Sequence, residues 1–405
     1  MRPLRSAARV AMAVAIALVA CELFARLVSA RDAEGQMRVA GIAVPPVRIG
    51  LRAIADNIER YRSSASPFLV YDPDLGWAPR PGATSRDGRA HVDGHGARVT
   101  GASPSGNADG ARVELFGDSF TFGDESTDEE TWGALLEQRL RAGGFDVDVL
   151  NFGVNAYGLD QAYLRWRKAG RAMRPAVVVL GLQPENAFRD LNVFRPLYFG
   201  NTEVPLSKPR FLLDGDSLRL INSPALPPEE VVGALARFPE HPLALHERFF
   251  DAGRANAAWW QKSRLLALAA ALLDRERPDA ADASLAALAS DPEVTGIARR
   301  LLARFAAEVA DSGAAFLVVY LPRKQEFDEA RARGTSWDAG LVAAITAGEA
   351  VVRPDGGFAP LGDGDFQPGG HYGRRLNAIV AEALAAPVGA ALCEQVPSAS
   401  PRCAH

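Results

Sequence analysis

From residue 112 onward, hydrophobic positions fall into short continuous runs that alternate with segments of helical period. Residues 112–116, 147–151 and 176–181 read as strands, and 131–142 and 159–173 as the helices between them. Strands that are apolar throughout and separated by helices predict a parallel sheet covered on both faces, a three-layer α/β/α sandwich. The rhythm returns with a helix over 294–312, a strand over 314–321 ended by Pro322, and an amphipathic helix over 374–384. Between the two halves, about residues 190–293 lose it. Pro, Asp and Gly punctuate 196–230, and Trp259-Trp260 with the Leu and Ala tract of 265–273 predict a helical insertion, either simple decoration or a lid or substrate wall.

Upstream, Arg2, Arg5 and Arg9 precede an apolar run over 10–21 that Glu22 and Arg26 interrupt. A charged and then apolar order at the start of a chain is that of an export segment. Three fates follow: cleavage after Val28-Ser29-Ala30, lipidation at Cys21, or retention as a short membrane anchor. Retention is the favoured reading, with the remaining chain on the periplasmic or extracellular face of the cell envelope, held at the inner membrane; a secreted or lipidated form is the alternative. A helix is expected over 47–61, an extended, turn-rich stretch over 72–81, and loops over 82–110. The expected organisation is therefore a signal segment over 1–30, a loop-rich extension over 31–110, a catalytic domain over 111–390 with its insertion, and a polar tail over 391–405.

Composition narrows the classes. With 405 residues, 48% of them hydrophobic and 23% charged, the chain is neither a disordered tail nor a polytopic membrane protein. Its net charge of -4 gives no reason to expect a nucleic-acid partner. Of the three cysteines, Cys393 and Cys403 are near enough to close a small loop in an oxidising compartment, or they stay as free thiols. His91, His95, His241, His246 and His405 have no metal-ligand spacing, so neither a metal nor a cofactor is expected.

The sharpest chemical signal is Leu115-Phe116-Gly117-Asp118-Ser119-Phe120-Thr121-Phe122-Gly123. It sets Ser119 just beyond a strand end, between glycines that permit a sharp turn, with a following amide open to a developing oxyanion. The Gly-x-Ser-x-Gly elbow of the common α/β-hydrolases is absent, because Thr121 holds its last position. Asp118 reads as a hydrogen-bond acceptor that fixes the loop. Tyr157 and Trp166 read as packing residues.

Taken with three further blocks, this segment resembles the SGNH hydrolases, or GDSL-type esterases and lipases. Gly117-Asp118-Ser119 is similar to their first block, Gly153 in Asn151-Phe152-Gly153-Val154-Asn155 to their second, Asn186 in Gly181-Leu182-Gln183-Pro184-Glu185-Asn186 to their third, and His371 in Gly370-His371-Tyr372 to their last. The resemblance covers residues 112–384 and implies a flavodoxin-like fold. It also implies Ser119 as nucleophile, the Ser119 amide, Gly153 and Asn186 as oxyanion donors, and His371 as general base. The family's aspartate two or three residues before the histidine is missing: Pro368 and Gly369 stand there. Asp365, six residues before His371, is the preferred replacement, with Asp363 or a backbone carbonyl as alternatives. Arg189, Asn192 and Arg195 are candidate contacts to a polar or anionic substrate group, or else surface salt bridges.

The implied activity is a serine esterase that cleaves carboxylic, preferably acetyl, esters through an acyl-serine intermediate, with an ester-bearing small molecule or an acetylated envelope or extracellular polysaccharide as substrate. Two alternatives stand beside it: an O-acetyltransferase that passes the acyl group to a glycan hydroxyl, and a glycan-binding or assembly protein with a decayed serine site.

Overall fold

The computed structural model describes residues 2–32, 36–45, 49–64, 66–101, 111–200, 202–250, 258–275 and 280–404. Five strands form the central sheet: β1 (Ala111–Gly117), β2 (Val147–Asn151), β3 (Val177–Leu182), β4 (Ala315–Tyr320) and β5 (Val351–Val352). All pair in parallel, in the order β5-β4-β3-β1-β2. The sheet is thus the expected parallel one, and its order is that of flavodoxin-like folds.

The apolar strands divide their side chains between two layers. Val177 and Val179 of β3 face α1 (Trp132–Ala142) and α4 (Arg374–Gln395), joining Leu136, Leu140, Leu376 and Val380 in one core. Val178 and Leu180 face the other way, toward α2 (Leu159–Arg165) and α3 (Pro292–Asp311), with Tyr163, Leu301 and Phe305. Alternation of side chains along a strand makes this division automatic once both faces are covered.

The helix expected over 159–173 begins as α2 and finishes in a π turn, Trp166–Gly170, and a tight turn, Arg171–Met173. The carboxy-terminal helix outruns its expected end at residue 384 and continues through Pro387 to Gln395. A proline removes one backbone bond, and burial of Val388 and Leu392 on the sheet side offsets that loss. Cys393, in the last turn of this helix, forms a disulfide with Cys403, and the Asp146 amide donates to Ala399 O.

The insertion is helical as expected, with Ala280–Ala289 among its helices, and has strands as well. It carries a two-stranded antiparallel ribbon, Arg210–Asp214 with Ser217–Ile221, besides helices Pro228–Ala236 and Arg264–Arg275. In the extension, the helix is Leu51–Ser63, and the expected start at Val47 lies outside the described residues. The turn-rich stretch is an antiparallel pair, Leu69–Asp72 with Gly76–Pro79. The loops expected over 102–110 also lie outside the described residues.

Candidate functional site

Parallel pairing lines up the carboxyl ends of three strands. Gly117 of β1 sits opposite Gly181 of β3, and the Phe152 and Val154 amides reach back to Leu115 O and Gly117 O. Ser119, Gly153 and Asn186 therefore emerge at one edge of the sheet despite their separation in sequence. Gly117 has φ of +151°, and a Cβ on it would lie 2.2 Å from Thr121 Oγ1, so the turn into the nucleophile loop admits no side chain there. Gly153 is closed in as tightly, because a Cβ would meet Phe122 N at 2.4 Å.

Ser119 opens a short helix, Ser119–Phe122, which Asp118 caps through a 2.9 Å bond from the Phe120 amide. The other Asp118 oxygen accepts from Arg189 at 3.0 Å. Burial pushes the Asp118 carboxyl above its ordinary pKa, against the opposing pull of Arg189. Asp118 thus holds the loop, in keeping with its sequence reading.

Ser119 Oγ lies 2.9 Å from His371 Nε2. On the far side of the ring, His371 Nδ1 lies 2.9 Å from Glu125 Oε2. Here the acid expectation is corrected. Asp365 does not meet the imidazole; Arg375 binds it through two bonds of 2.6 and 2.7 Å, and the Gly362 amide also donates to it. Those Arg375 hydrogen bonds hold the Asp365 carboxyl below the usual range. With its acceptors occupied, Asp365 closes its own loop. Among the described residues, Glu125 is the carboxylate bonded to His371 Nδ1.

Glu125 sits at φ +65°, a left-handed conformation uncommon outside glycine and asparagine. That bend turns its side chain back across the nucleophile loop. Its second oxygen accepts from the Gly369 amide at 2.9 Å. Burial raises its pKa, but the bonds from His371 and Gly369 outweigh burial and hold the carboxyl below the ordinary glutamate range. A second carboxylate, Asp124, lies 3.9 Å from His371 Nε2; burial pushes it up to about 6 although the His371 charge and a bond from Asn155 work in the opposite direction.

The extension supplies the support. The Arg98 side chain, 1% exposed, donates to Phe122 O (2.8 Å), Gly123 O (2.6 Å) and Ser126 O (2.7 Å), and pairs with Asp128 at 3.1 Å. It thereby grips the backbone on both sides of Glu125. Trp77 Nε1 donates to Asn155 O, and the Tyr157 hydroxyl donates to Trp77 O, so the Gly76–Pro79 strand underlies the loop after β2. Sequence reading missed Glu125 and Arg98. The signal for Glu125 was its place in the nucleophile segment, five residues after Phe120, and a family pattern that directs the search toward the histidine.

The candidate oxyanion donors differ among themselves. The Ser119 amide is at the first position of a helical turn, where no intrahelical acceptor exists. Arg189 donates to Asn186 Oδ1 at 3.2 Å, which orients the amide and leaves Nδ2 as the donor on the opposite side. The Gly153 amide, expected to face the substrate, donates to Asn151 Oδ1 at 3.0 Å.

Of the three candidate substrate contacts, Arg189 and Asn192 are corrected, because both are bonded within the protein. Arg189 is bound to Asp118, Tyr157 O and Asn186, and lies 3.6 Å from Glu185. Burial raises the Glu185 pKa, but Arg189 and Arg323 outweigh it and hold the carboxyl at about 2. Asn192 donates to Phe194 O and Glu247. Arg195 is 8% exposed, its guanidinium lies over the Tyr198 ring, and its Nε and Nη1 are sealed from solvent with no partner among the described residues. Burial, with the nearby Arg189 charge, lowers its pKa to about 10. Arg189 and Asn192 thus spend side-chain nitrogens on groups of the protein itself, whereas the Arg195 guanidinium has no hydrogen-bond or ion-pair partner among the described residues.

A cleft of about 600 Å³ instead runs between the extension and the insertion, bordered by Asn57, Tyr61, Phe68, Arg86, Asn155 and Thr202. It adjoins the site through Asn155, which binds Asp124, and through Phe68, whose ring packs edge-on against Phe122 at 5.8 Å. No group of three or more metal-ligating side chains occurs among the described residues.

No protein-family model matches the sequence, and no curated protein is similar to it. Solved structures align over most of the chain at low identity. A lipase/acylhydrolase from Enterococcus faecalis is 13% identical over 69% of this chain and 96% of its own, with a TM-score of 0.36. A catalytic mutant of Axe2, an acetylxylan esterase from Geobacillus stearothermophilus, is 12% identical over 70% of this chain and 97% of its own, with a TM-score of 0.33.

Proposed function

We propose that this protein is a serine esterase in which Ser119 is the nucleophile, His371 the general base and Glu125 the group that orients and stabilises the imidazolium. The carrying observation is the continuous contact Ser119 Oγ to His371 Nε2 and His371 Nδ1 to Glu125 Oε2, each 2.9 Å. Attack of Oγ on an ester carbonyl transfers its proton to Nε2 and forms a tetrahedral oxyanion. The Ser119 amide and Asn186 Nδ2 receive that charge, each donor being worth roughly 3 kcal/mol in the transition state. Collapse expels the alcohol, which takes the proton from Nε2, and leaves acyl-Ser119. Water, activated by the same ring, then releases the acid and restores the serine.

The acyl group is small, preferably acetyl, and the alcohol is a hydroxyl of an envelope or extracellular glycan. Support for a glycan comes from the cleft beside Asn155, whose border mixes amide, hydroxyl and aromatic side chains. A sugar hydroxyl seated there in place of water turns the same intermediate into an acetyl transfer. A non-catalytic reading drew on the missing aspartate, and Glu125 supplies the partner that reading lacked. We place the enzyme at the envelope, on a retained amino-terminal anchor.

The test is labelling by a fluorophosphonate. Labelling is expected in the native protein and lost in Ser119→Ala; absence of labelling in folded native protein would overturn the proposal. Acetate release from an acetylated polysaccharide, measured with and without an acceptor glycan, divides hydrolysis from transfer.

A further inference from the structure

The amino-terminal helix, Arg2–Leu27, includes a 19-residue stretch, Arg9–Leu27, of mean hydropathy 2.1. At about 1.5 Å per residue this stretch spans roughly 28 Å, close to the hydrocarbon thickness of a bilayer. Its apolar side chains stay outside the protein core: Ile16, Leu23 and Phe24 are each more than 60% exposed. Glu22 is its single acidic residue, and it is fully engaged. One Glu22 oxygen accepts from Arg26 Nε (2.7 Å) and the Arg264 amide (3.1 Å); the other accepts from Ser263 Oγ (2.7 Å) and the Leu265 amide (2.9 Å). Glu22 therefore caps the helix Arg264–Arg275, some 240 residues away in sequence, while Arg26 also donates to Lys262 O. Ala25 and Ala267 are buried at the crossing, together with Val39 and Val44.

The capped helix has two apolar faces. Ala267 is turned inward against the amino-terminal helix, and Leu266, Leu272 and Leu273 are turned outward, with exposures of 48%, 37% and 68%. Leu266 and Leu273 stand seven residues apart, on one side of a helix. Trp259, 80% exposed, precedes it, and Lys262, Arg264 and Arg26 surround the crossing. An outward apolar face edged by cations and a tryptophan, attached to a bilayer-length apolar helix, has the composition of a segment lying in a lipid interface. The bonded state of Glu22 fits the same position, since a carboxylate with both oxygens satisfied can approach hydrocarbon at reduced cost.

Building on the retained anchor of the proposed function, we infer that helix Arg264–Arg275 is a second membrane contact, with Leu266 and Leu273 in the lipid interface and Glu22 joining it to the spanning helix. The insertion then carries the footing of the enzyme, and the amino-terminal segment is part of the fold instead of a removable leader.

The experiment uses the full chain with Cys21→Ala, reconstituted in phosphatidylethanolamine and phosphatidylglycerol vesicles, and spin-labelled singly at Leu273→Cys, Val14→Cys or Lys324→Cys. Collisions with oxygen and with an aqueous nickel chelate report the depth of each label. The expected result is lipid exposure at 14 and 273, aqueous exposure at 324, and greater mobility of the 273 label when Glu22→Gln is added. Aqueous exposure at 273 with lipid exposure at 14 would overturn the second contact and keep the anchor. Aqueous exposure at both would overturn both. Spin-spin broadening at 273 with shielding from both reagents would assign the face to a second copy of the chain, again overturning the inference. Mass spectrometry of protein from native membranes is expected to find the segment before Ser29 intact, and cleavage after Ala30 would overturn retention.

Discussion

Glu125 and His371 meet at 2.9 Å although they stand 246 positions apart, while Glu125 and the serine on the other side of that histidine belong to one loop only six residues apart. The proposed acid and nucleophile therefore share a loop, and the proposed base comes to them from the other end of the domain.

The first expected outcome separates Glu125 from Asp365. Glu125→Gln is expected to lower kcat/KM for a chromogenic acetyl ester by about 10²- to 10⁴-fold, the range seen when the partner of a catalytic histidine is neutralised. Asp365→Asn is expected to keep most of the rate and to lose about 1 kcal/mol or less in urea unfolding, because its Arg375 partner is partly solvent-exposed. Equal rate losses in the two variants would contradict this division.

A second outcome concerns pH. Burial pushes the Asp124 carboxyl up to about 6, so a negative charge develops 3.9 Å from His371 Nε2 as pH rises through that value. Asp124→Asn removes this charge, so the ratio of variant to native kcat/KM is expected to change with pH around 6, and a ratio constant from about pH 5 to 8 would contradict the placement.

Arg98 should act on rate through Glu125 and on stability through the carbonyls it satisfies. In Arg98→Lys, loss of the multidentate grip is expected to reduce kcat at least tenfold with KM nearly constant, and to lower Tm by several degrees. A normal kcat in a folded variant would show that the Glu125 bend sustains itself.

Glu114, buried in β1 with neither oxygen hydrogen-bonded among the described residues, is pushed by burial up to about 9. Its folded pKa lies above the unfolded value, so its stabilising contribution is complete below about 4.5 and is lost as pH rises toward 9. Unfolding free energy is therefore expected to fall across that window by up to about 1.4 kcal/mol per pH unit. Glu114→Gln should flatten the decline in urea titrations at pH 5, 7 and 8.5; an unchanged slope would exclude Glu114 as its source.

For Gly153→Ala the obstacle is steric. The new methyl group would press on Phe122 N and Thr121 C, both backbone atoms of the nucleophile turn. Acetyl-ester hydrolysis is expected to drop at least a hundredfold. A near-native rate would show that the loop yields.

Sequence pattern carried the sheet because β3 and β4 are apolar on both faces, a demand that few other folds make of six consecutive residues. It carried the neighbourhood of Ser119 and His371 through local glycine chemistry. It could not carry Glu125, whose role depends on one positive φ and on a partner brought by the fold over 246 positions. Nor could it give the work of Arg189 and Asn192: polar residues after a strand end look alike in sequence whether they face a ligand or each other. The Arg210–Ile221 ribbon had a readable signal in Gly215-Asp216, the two turn residues between the paired Asp214 and Ser217, with Gly215 at φ +59°.

Sharing one loop between Ser119 and Glu125 makes the site depend on assembly order. Both lie before the insertion and His371 lies after it, and α4, which begins three residues beyond His371, packs against α1 and the sheet. Ser119 and Glu125 can take their places with β1 and its loop, but His371 joins them only when α4 has docked, so any looseness of α4 against α1 is felt first at the contact between Ser119 and His371.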